Sequence, residues 1–284
     1  MAAAYHVIKQ HAISLLSVTA ITLNLLFWTI PLLAVVATQA VVRSSGAKSM
    51  CYGCVDWIYR RAVDFNSWWV VQVLQVDIRI HGELPQDPAE QLIVVSNHRS
   101  WFDILVLHRL VTTTGPIIKF LIKRELIYVP VIGWLCLALK FPRLRRGKTA
   151  DGRERDYQSV MAAAQAATTE PGALLNFAEG TRFTERKRRD RGSIFPHLLN
   201  PRSGGLRIML ETLPDARILD CTLVYPDDDL TFWRSVGGDL KVVEAWLDYI
   251  ATSDVTDANA WLAERWRLKE ERIDASSIRS RADA

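Results

Sequence analysis

Asn97-His98-Arg99-Ser100-Trp101-Phe102-Asp103 sets a histidine five residues before a carboxylate, and Phe177-Ala178-Glu179-Gly180-Thr181-Arg182 follows further along the chain. Imidazole is the side chain best suited to taking a proton near neutral pH. Guanidinium is the group best suited to gripping a phosphate. The two stretches together suggest a base that activates a hydroxyl on a phosphorylated molecule. Asp103 would hold one imidazole nitrogen and leave the other free, the logic of a triad without its serine. Along a regular helix, five positions would separate the two side chains by about 140°. The pairing therefore requires His98 to precede a helix and turn back over its first turn. Ser100 and Asp103 also have the spacing of a helix cap, with Asp103 favourable in the positive first turn. A purely structural reading of the pair thus stands beside the chemical one.

Positioning these groups falls to the elements around them. Gln91–Ser96 contains Leu92-Ile93-Val94-Val95, a run typical of a strand buried on both faces, and Ala173–Phe177 reads the same way. His98 thus falls at a strand-to-helix junction, where ligands gather in open α/β sheets. Val76–His81 alternates like an edge strand. Further strands are expected near Ile117–Ile122, Leu137–Phe141, Ile218–Val224 and Leu240–Ala245. Helices are expected over Ser100–Leu110, Asp156–Thr168 and Asp257–Ile273. Strands alternating with helices predict an α/β fold, a mixed central sheet flanked by helices.

His98-x4-Asp103 and Glu179-Gly180-Thr181-Arg182 resemble the defining signatures of the glycerophospholipid acyltransferase family. Lys123-Arg124-Glu125-Leu126, with Phe141-Pro142 running on to Arg145-Arg146, looks like the family's second block, and Val224-Tyr225-Pro226 like its fourth. Phe183-Thr184, Pro201-Arg202 and Gly204-Gly205 resemble a narrower group, bacterial inner-membrane 1-acylglycerol-3-phosphate acyltransferases that look like lysocardiolipin acyltransferases. Two positions depart from the family pattern: Ala178 stands where proline is usual, and Tyr225 where an aliphatic residue is frequent.

The resemblance implies an acyltransferase that moves a fatty acyl chain from acyl-CoA or acyl carrier protein to 1-acyl-glycerol-3-phosphate, giving phosphatidic acid. His98 would be the base, Asp103 its orienting group, and Arg182 a phosphate clamp. Glu179 would orient the glycerol hydroxyls or a neighbouring cation, Gly180 would permit close backbone approach, and Thr181 belongs to the same binding block. Either Arg146 or Arg145 is the second phosphate ligand. Backbone amides near the His98 turn, or Lys123, would meet the oxyanion. The chemistry calls for no metal and no bound cofactor, the acyl thioester being a co-substrate. Lysophosphatidylglycerol and lysocardiolipin are alternative acceptors.

The 284 residues carry a net charge of +4, 23% charged and 49% apolar side chains, which describes a globular protein. No charged side chain lies between His11 and Arg43. About 20 apolar residues cross a bilayer core, so this longer stretch is read as one tilted span or as a helical hairpin in one leaflet, with Pro31 a plausible kink. It is longer than the core of a cleaved signal peptide. A buried core helix is the remaining alternative. Residues 43–54 look like a turn out of the membrane. Residues 55–74, with Trp57, Tyr59, Phe65, Trp68 and Trp69 beside Arg60 and Arg61, suit an interfacial helix. Residues 1–75 are thus expected to form an anchor and 76–284 the α/β domain. Arg43, Lys48, Arg60 and Arg61 after the apolar stretch place that domain on the cytoplasmic side, at a bacterial inner membrane.

The basic run from Arg182 to Arg191 suits anionic headgroups, each cation adding about 1 kcal/mol. The modest net charge and the missing recognition motif argue against nucleic acid. Cys51-x-x-Cys54 lacks the βαβ context of a redox motif. Ser96 and Ser100 raise a hydrolase as a rival, but no Gly-x-Ser-x-Gly elbow is present. A non-catalytic membrane scaffold is the rival from outside enzymology.

Overall fold

The computed structural model describes residues 2–120, 172–227 and 230–276, together with residues 122–123, 128, 133–134, 139, 143–144, 158, 161–162, 165 and 278. Strands β1 (Asp77–His81), β2 (Gln91–Ser96), β3 (Ile118–Phe120), β6 (Gly172–Phe177), β7 (Arg217–Val224) and β8 (Val242–Ala251) form one sheet in the order β1-β8-β7-β2-β6-β3. Only β7 and β8 pair antiparallel. The rest are parallel, so the sheet is mixed, as expected. Two short strands, β4 (Ile122–Lys123) and β5 (Arg143–Leu144), pair apart from it.

The β-branched and leucine runs of β2 and β6 are buried on both faces because helices cover each side of the sheet. On one face lie α3 (Phe102–Leu107) and the wider π-helical turn that continues it, contributing Phe102, Val106, Leu110 and Val111 to the core. On the other lie α5 (Gly204–Thr212) and α7 (Ala258–Ala275), which bring Leu206, Met209, Leu262 and Trp266 onto Ile93, Leu174 and Ile218. Between them in sequence run α4 (Glu185–Asp190) and α6 (Phe232–Ser235).

The N-terminal region is a helical hairpin. Helix α1 (Ala2–Val41) is 40 residues long, about 60 Å at 1.5 Å per residue, roughly twice a bilayer core. Pro31 sits inside it without ending it. Helix α2 (Ser45–Trp68) turns back along its second half, where Asn24 Nδ2 donates to Ala62 O at 2.9 Å and to Asn66 Oδ1 at 3.0 Å. The first half of α1 instead rests on the α/β domain, where Ser14 Oγ donates to Trp233 O, and on the turn that continues α2, where Trp69 Nε1 donates to Ser17 Oγ. Ser14, Ser17 and Asn24 therefore face inward, at the three-and-four spacing of one helix face. The outward face is apolar, with Leu15, Leu16, Leu23, Phe27 at 65% and Ile30 at 73% exposure. A soluble helix shows the opposite pattern.

Several boundaries differ from expectation. The turn expected over residues 43–54 is confined to residues 42–44, because Gly46 and Gly53 are accommodated inside α2. A helix-interior glycine costs only about 1 kcal/mol, and the hairpin contacts offset it. Strand β8 starts after Leu240 and runs to Ala251, extended by its full antiparallel pairing with β7. The expected strand at Ile117–Ile122 is split between β3 and β4. Most of the strand expected at Leu137–Phe141 lies outside the described residues, and Leu139 within it is a buried turn position. Of the helix expected at Asp156–Thr168, the described positions Gln158, Met161, Ala162 and Gln165 are helical.

Candidate active site

Register decides which loops meet. Ser96 pairs with Phe177 on one side and with Cys221 on the other. Strands β2 and β6 therefore end level, β7 runs three residues further to Val224, and the segments leaving these parallel strands converge: His98 after β2, Glu179 after β6 and Tyr225 after β7. Asn97 fixes the alignment. Its Nδ2 donates to Leu223 O and its Oδ1 accepts from Leu223 N, both at 2.8 Å, so a side chain prolongs the β2–β7 ladder by one step.

His98 precedes α3, and the chain turns back as the spacing requires. Its Nδ1 lies 2.8 Å from Asp103 Oδ2. The same oxygen accepts the amides of Arg99 at 2.7 Å and Ser100 at 3.0 Å. Ser100 Oγ accepts from Phe102 N. The capping and pairing readings of Asp103 are thus both true: one buried carboxylate ends the helix and holds the imidazole. The ring stacks on Phe177, centroids 3.8 Å apart, and is 12% exposed. With Nδ1 donating to Asp103, Nε2 is the basic nitrogen. Tyr225 Oη donates to Asp103 Oδ1 at 2.6 Å.

Glu179 occupies a different place from the one its motif suggests. It is buried, and its two oxygens accept the amides of His98 at 3.0 Å and Leu199 at 3.1 Å. Burial pushes its carboxyl up to about 8, against the pull of those two N–H donors and the Arg99 cation. Glu179 therefore braces the His98 turn from below. Gly180 follows with φ of 69°, a left-handed conformation suited to glycine, and the Arg202 side chain lies across it.

The loop above is ringed by cations. Lys187 Nζ donates to Thr181 Oγ1 and to Arg182 O, and Arg191 Nη1 to Glu179 O, while the backbone amide of Arg202 donates to Ala178 O and so brings that side chain beside Gly180. Part of the basic run is thus folded onto the loop, while Arg186 and Arg189 face outward. The Arg182 guanidinium sits 5.3 Å from the Trp101 ring centroid, over the same turn that carries His98. The structure brings His98, Asp103, Glu179, Gly180, Thr181 and Arg182 together. Lys123 is placed by its backbone in β4, paired with Leu144. Arg145 and Arg146 lie outside the described residues.

This arrangement can remove a proton, and among the described residues the hydroxyls and thiol beside it are committed or shut in, burial pushing the Cys221 thiol up to about 12. Ser96 Oγ donates to Asn97 O, and Ser100 Oγ serves the α3 cap; both serines are buried. The amides of His98, Arg99 and Ser100 are all committed to Glu179 and Asp103, so they do not supply the oxyanion donors expected of that turn. His197, Glu270 and Asp274 bring potential metal-ligating atoms within 4.8 Å of one another beside α7, where Glu270 Oε1 accepts His197 N, Asp274 lies 3.3 Å from His197 Nε2, and the buried Glu270 Oε2 has no hydrogen-bond partner among the described residues. Sequence reasoning gave no role to Asn97, Arg202 or the hydroxyl of Tyr225. Only the unusual residue type at 225 pointed toward one of them.

Comparison with known proteins agrees with the geometry. Residues 77–226 match the family model described as Acyltransferase. The chain is 27% identical over 241 residues to rat (Rattus norvegicus) 1-acyl-sn-glycerol-3-phosphate acyltransferase delta, covering 78% of this chain and 61% of that protein. It is 26% identical over 240 residues to zebrafish (Danio rerio) lysocardiolipin acyltransferase 1, covering 76% and 61%. It therefore spans about three-fifths of the length of these relatives. The crystal structure of the 1-acyl-sn-glycerophosphate acyltransferase PlsC from Thermotoga maritima superimposes with a TM-score of 0.61 at 15% identity, over 95% of this chain and 98% of that one, and so shares its fold.

Proposed function

Because the chain belongs to the acyltransferase family, we propose that it moves a fatty acyl chain from an acyl thioester, acyl-CoA or acyl carrier protein, to 1-acyl-glycerol-3-phosphate, giving phosphatidic acid. The observation that carries this is the His98–Asp103 pair, beside which the Ser96 and Ser100 hydroxyls are committed and the Cys221 thiol is held protonated by burial. Direct transfer needs only a base. His98 Nε2 takes the proton of the acceptor hydroxyl as that oxygen attacks the thioester carbonyl. The tetrahedral intermediate collapses, the ester C–O bond stays, the C–S bond breaks, and the proton on His98 passes to the departing thiolate. Asp103, which touches the imidazole and not the substrate, steadies the imidazolium in between.

Arg182 clamps the acceptor phosphate, and Arg202, lying across Gly180, is placed to join it. Lys123 is the remaining candidate for the oxyanion, since the His98 turn has spent its amides. Acceptor choice within the class rests on the relatives' names. Lysophosphatidylglycerol and lysocardiolipin carry a phosphodiester in place of the monoester beside the same kind of free glycerol hydroxyl, and the zebrafish relative carries the latter in its name.

Membrane association fits the outward apolar face of α1, a helix long and apolar enough to cross a bilayer. The hairpin returns through α2, whose Arg60 Nη1 donates to Thr112 O and Gly115 O of the α/β domain. This favours a hairpin lying in one leaflet, with the site at the interface where lysolipid and product reside. The cationic flank from Arg43 to Arg61 suits the cytoplasmic face of a bacterial inner membrane.

The test is acyl transfer by the purified protein in detergent with labelled acyl-CoA and lysophosphatidic acid. His98→Ala should lose on the order of 10²-fold or more of the rate while remaining folded. Equal activity in that variant would overturn the mechanism. No product from wild type with either thioester and any lysolipid would favour a scaffold.

A further inference from the structure

We propose that Tyr225 is a positioning residue that sets the basicity of His98 through Asp103, in a buried relay Tyr225–Asp103–His98. The inference rests on the reading of His98 as the base. Asp103 divides its two oxygens sharply. Oδ2 takes His98 Nδ1 and the amides of Arg99 and Ser100, all from its own turn. Oδ1 takes the Tyr225 hydroxyl, from the segment that leaves β7, 122 residues away. Local capping alone would account for Oδ2 and leave Oδ1 bare. A buried carboxylate oxygen without a donor costs more than the hydrogen bond is worth. The tyrosine also fixes the carboxylate plane from outside the turn, and the Asn97–Leu223 pair keeps the β7 exit in register to do so.

The phenol is held as a donor. Burial first, then the Asp103 charge, hold its hydroxyl proton on far above the ordinary range, so it does not ionise at working pH. Donation to Oδ1 stabilises the charged carboxylate and draws electron density from the oxygen facing His98. Removing the donor makes Asp103 a stronger partner for imidazolium and raises the proton affinity of His98. A stronger donor has the opposite effect. The other ionisable groups around the relay are Arg99 on the His98 turn, Glu179 after β6 and the Cys221 thiol on β7. They are unchanged in the variants below, so a shift reports the tyrosine.

The experiment follows the pH dependence of His98 carbethoxylation by diethyl pyrocarbonate, resolved by peptide mass spectrometry from the other histidines, in the full chain in detergent. This reagent reads the unprotonated imidazole and needs no substrate. Tyr225→Phe should move the His98 midpoint upward by about half a pH unit or more. The acidic limb of kcat/KM should move with it, and kcat at neutral pH should fall about twofold to threefold with KM for the thioester unchanged. Incorporation of 3-fluorotyrosine at position 225, which keeps the ring and the hydroxyl and donates more strongly, should move the midpoint downward; it decides the matter if Tyr225→Phe does not fold. Superimposable His98 profiles would overturn the relay. So would activity lost in Tyr225→Phe with the His98 profile unmoved, since that marks a packing role alone. If wild type transfers no acyl group, the functional reading fails, and the His98 profile still decides the relay.

Discussion

Glu179 and His98 are joined through the main chain: the glutamate Oε1 accepts the histidine amide at 3.0 Å while its Oε2 accepts Leu199 N at 3.1 Å. The third family block therefore holds the first in place from beneath the surface. A carboxyl with no water contact, sharing its space with Asp103, binds its proton more tightly than it does in the unfolded chain.

That shift makes stability depend on pH in a specific direction. Glu179 goes from 4.5 in the ordinary range up to about 8 on folding, so between those values the folded state holds the extra proton and stability declines as pH rises. His108 runs the other way: burial lowers it from 6.5 to about 4, so stability rises with pH across that window. The two oppose each other below about 6.5, and above it only the Glu179 decline remains. Apparent Tm should therefore fall between pH 6.5 and 8. Glu179→Gln, whatever it costs in absolute Tm, should flatten that limb. A Gln variant with the parental slope would assign the effect to another group.

Asn97 carries a second mechanical load. Asn97→Ala removes two buried hydrogen bonds and leaves Leu223 N–H and C=O facing each other's empty space, a loss of roughly 2–4 kcal/mol. Chemical denaturation should show it. In the fraction that stays folded, kcat should drop about tenfold or more with KM nearly constant, because the His98 turn, not the substrate pocket, has lost its register. A rise in KM alone would place Asn97 in contact with substrate instead.

What could be read in advance follows from where each partner sits in the chain. Strands β2 and β6 declared themselves because both faces are buried, which leaves a continuous apolar run with no need of context. The His98–Asp103 pair was legible because its partners are five residues apart and of the right chemical types. The role of Glu179 was not: its partners are backbone amides 81 and 20 residues distant, and a backbone amide has no sequence signature. A carboxylate beside an arginine reads as a surface binding group, and burial reversed that. The end of β8 was hidden by Asp248, which looks like a strand breaker until Arg265 and Arg272 of α7 are seen to pair with it. Lys269 is the extreme case: a cation fully buried against Asp220 and the carbonyl of Cys221, which nothing in its exposed-looking helix announces.

The proposed phosphate clamp, Arg182 with Arg202, can be tested separately from the proposed base, His98. Arg182→Lys keeps the charge and loses the fork that grips two oxygens. It should raise KM for lysophosphatidic acid about tenfold and leave a neutral monoacylglycerol acceptor unaffected. Arg202→Ala should act in the same direction, and the double variant should exceed either alone. The comparison of charged and neutral acceptors is the deciding measurement. Equal losses on both would show that the arginines support the loop and do not bind phosphate.

The outward face of α1 makes the membrane claim testable without touching the site. Leu23, Leu26, Phe27 and Ile30 are exposed, while Asn24 hydrogen-bonds to α2 and Trp28 packs against Ile58 and Leu32. Burying a large apolar side chain gives about 1.5–3 kcal/mol. Leu23→Asp, Phe27→Asp and Ile30→Asp together should lower binding to phosphatidylglycerol vesicles on the order of 10²-fold or more, read by co-sedimentation. Because all three side chains are more than half exposed, along an open apolar groove they share with Leu33 and Trp134, circular dichroism should be unchanged. Turnover on a water-soluble short-chain acceptor should also persist, while turnover on vesicle-borne lysolipid collapses. Undiminished vesicle binding by the triple variant would move the contact elsewhere, to the exposed Arg186 and Arg189 of α4, and a parallel titration with salt would show it, since electrostatic attachment weakens with ionic strength and apolar insertion does not.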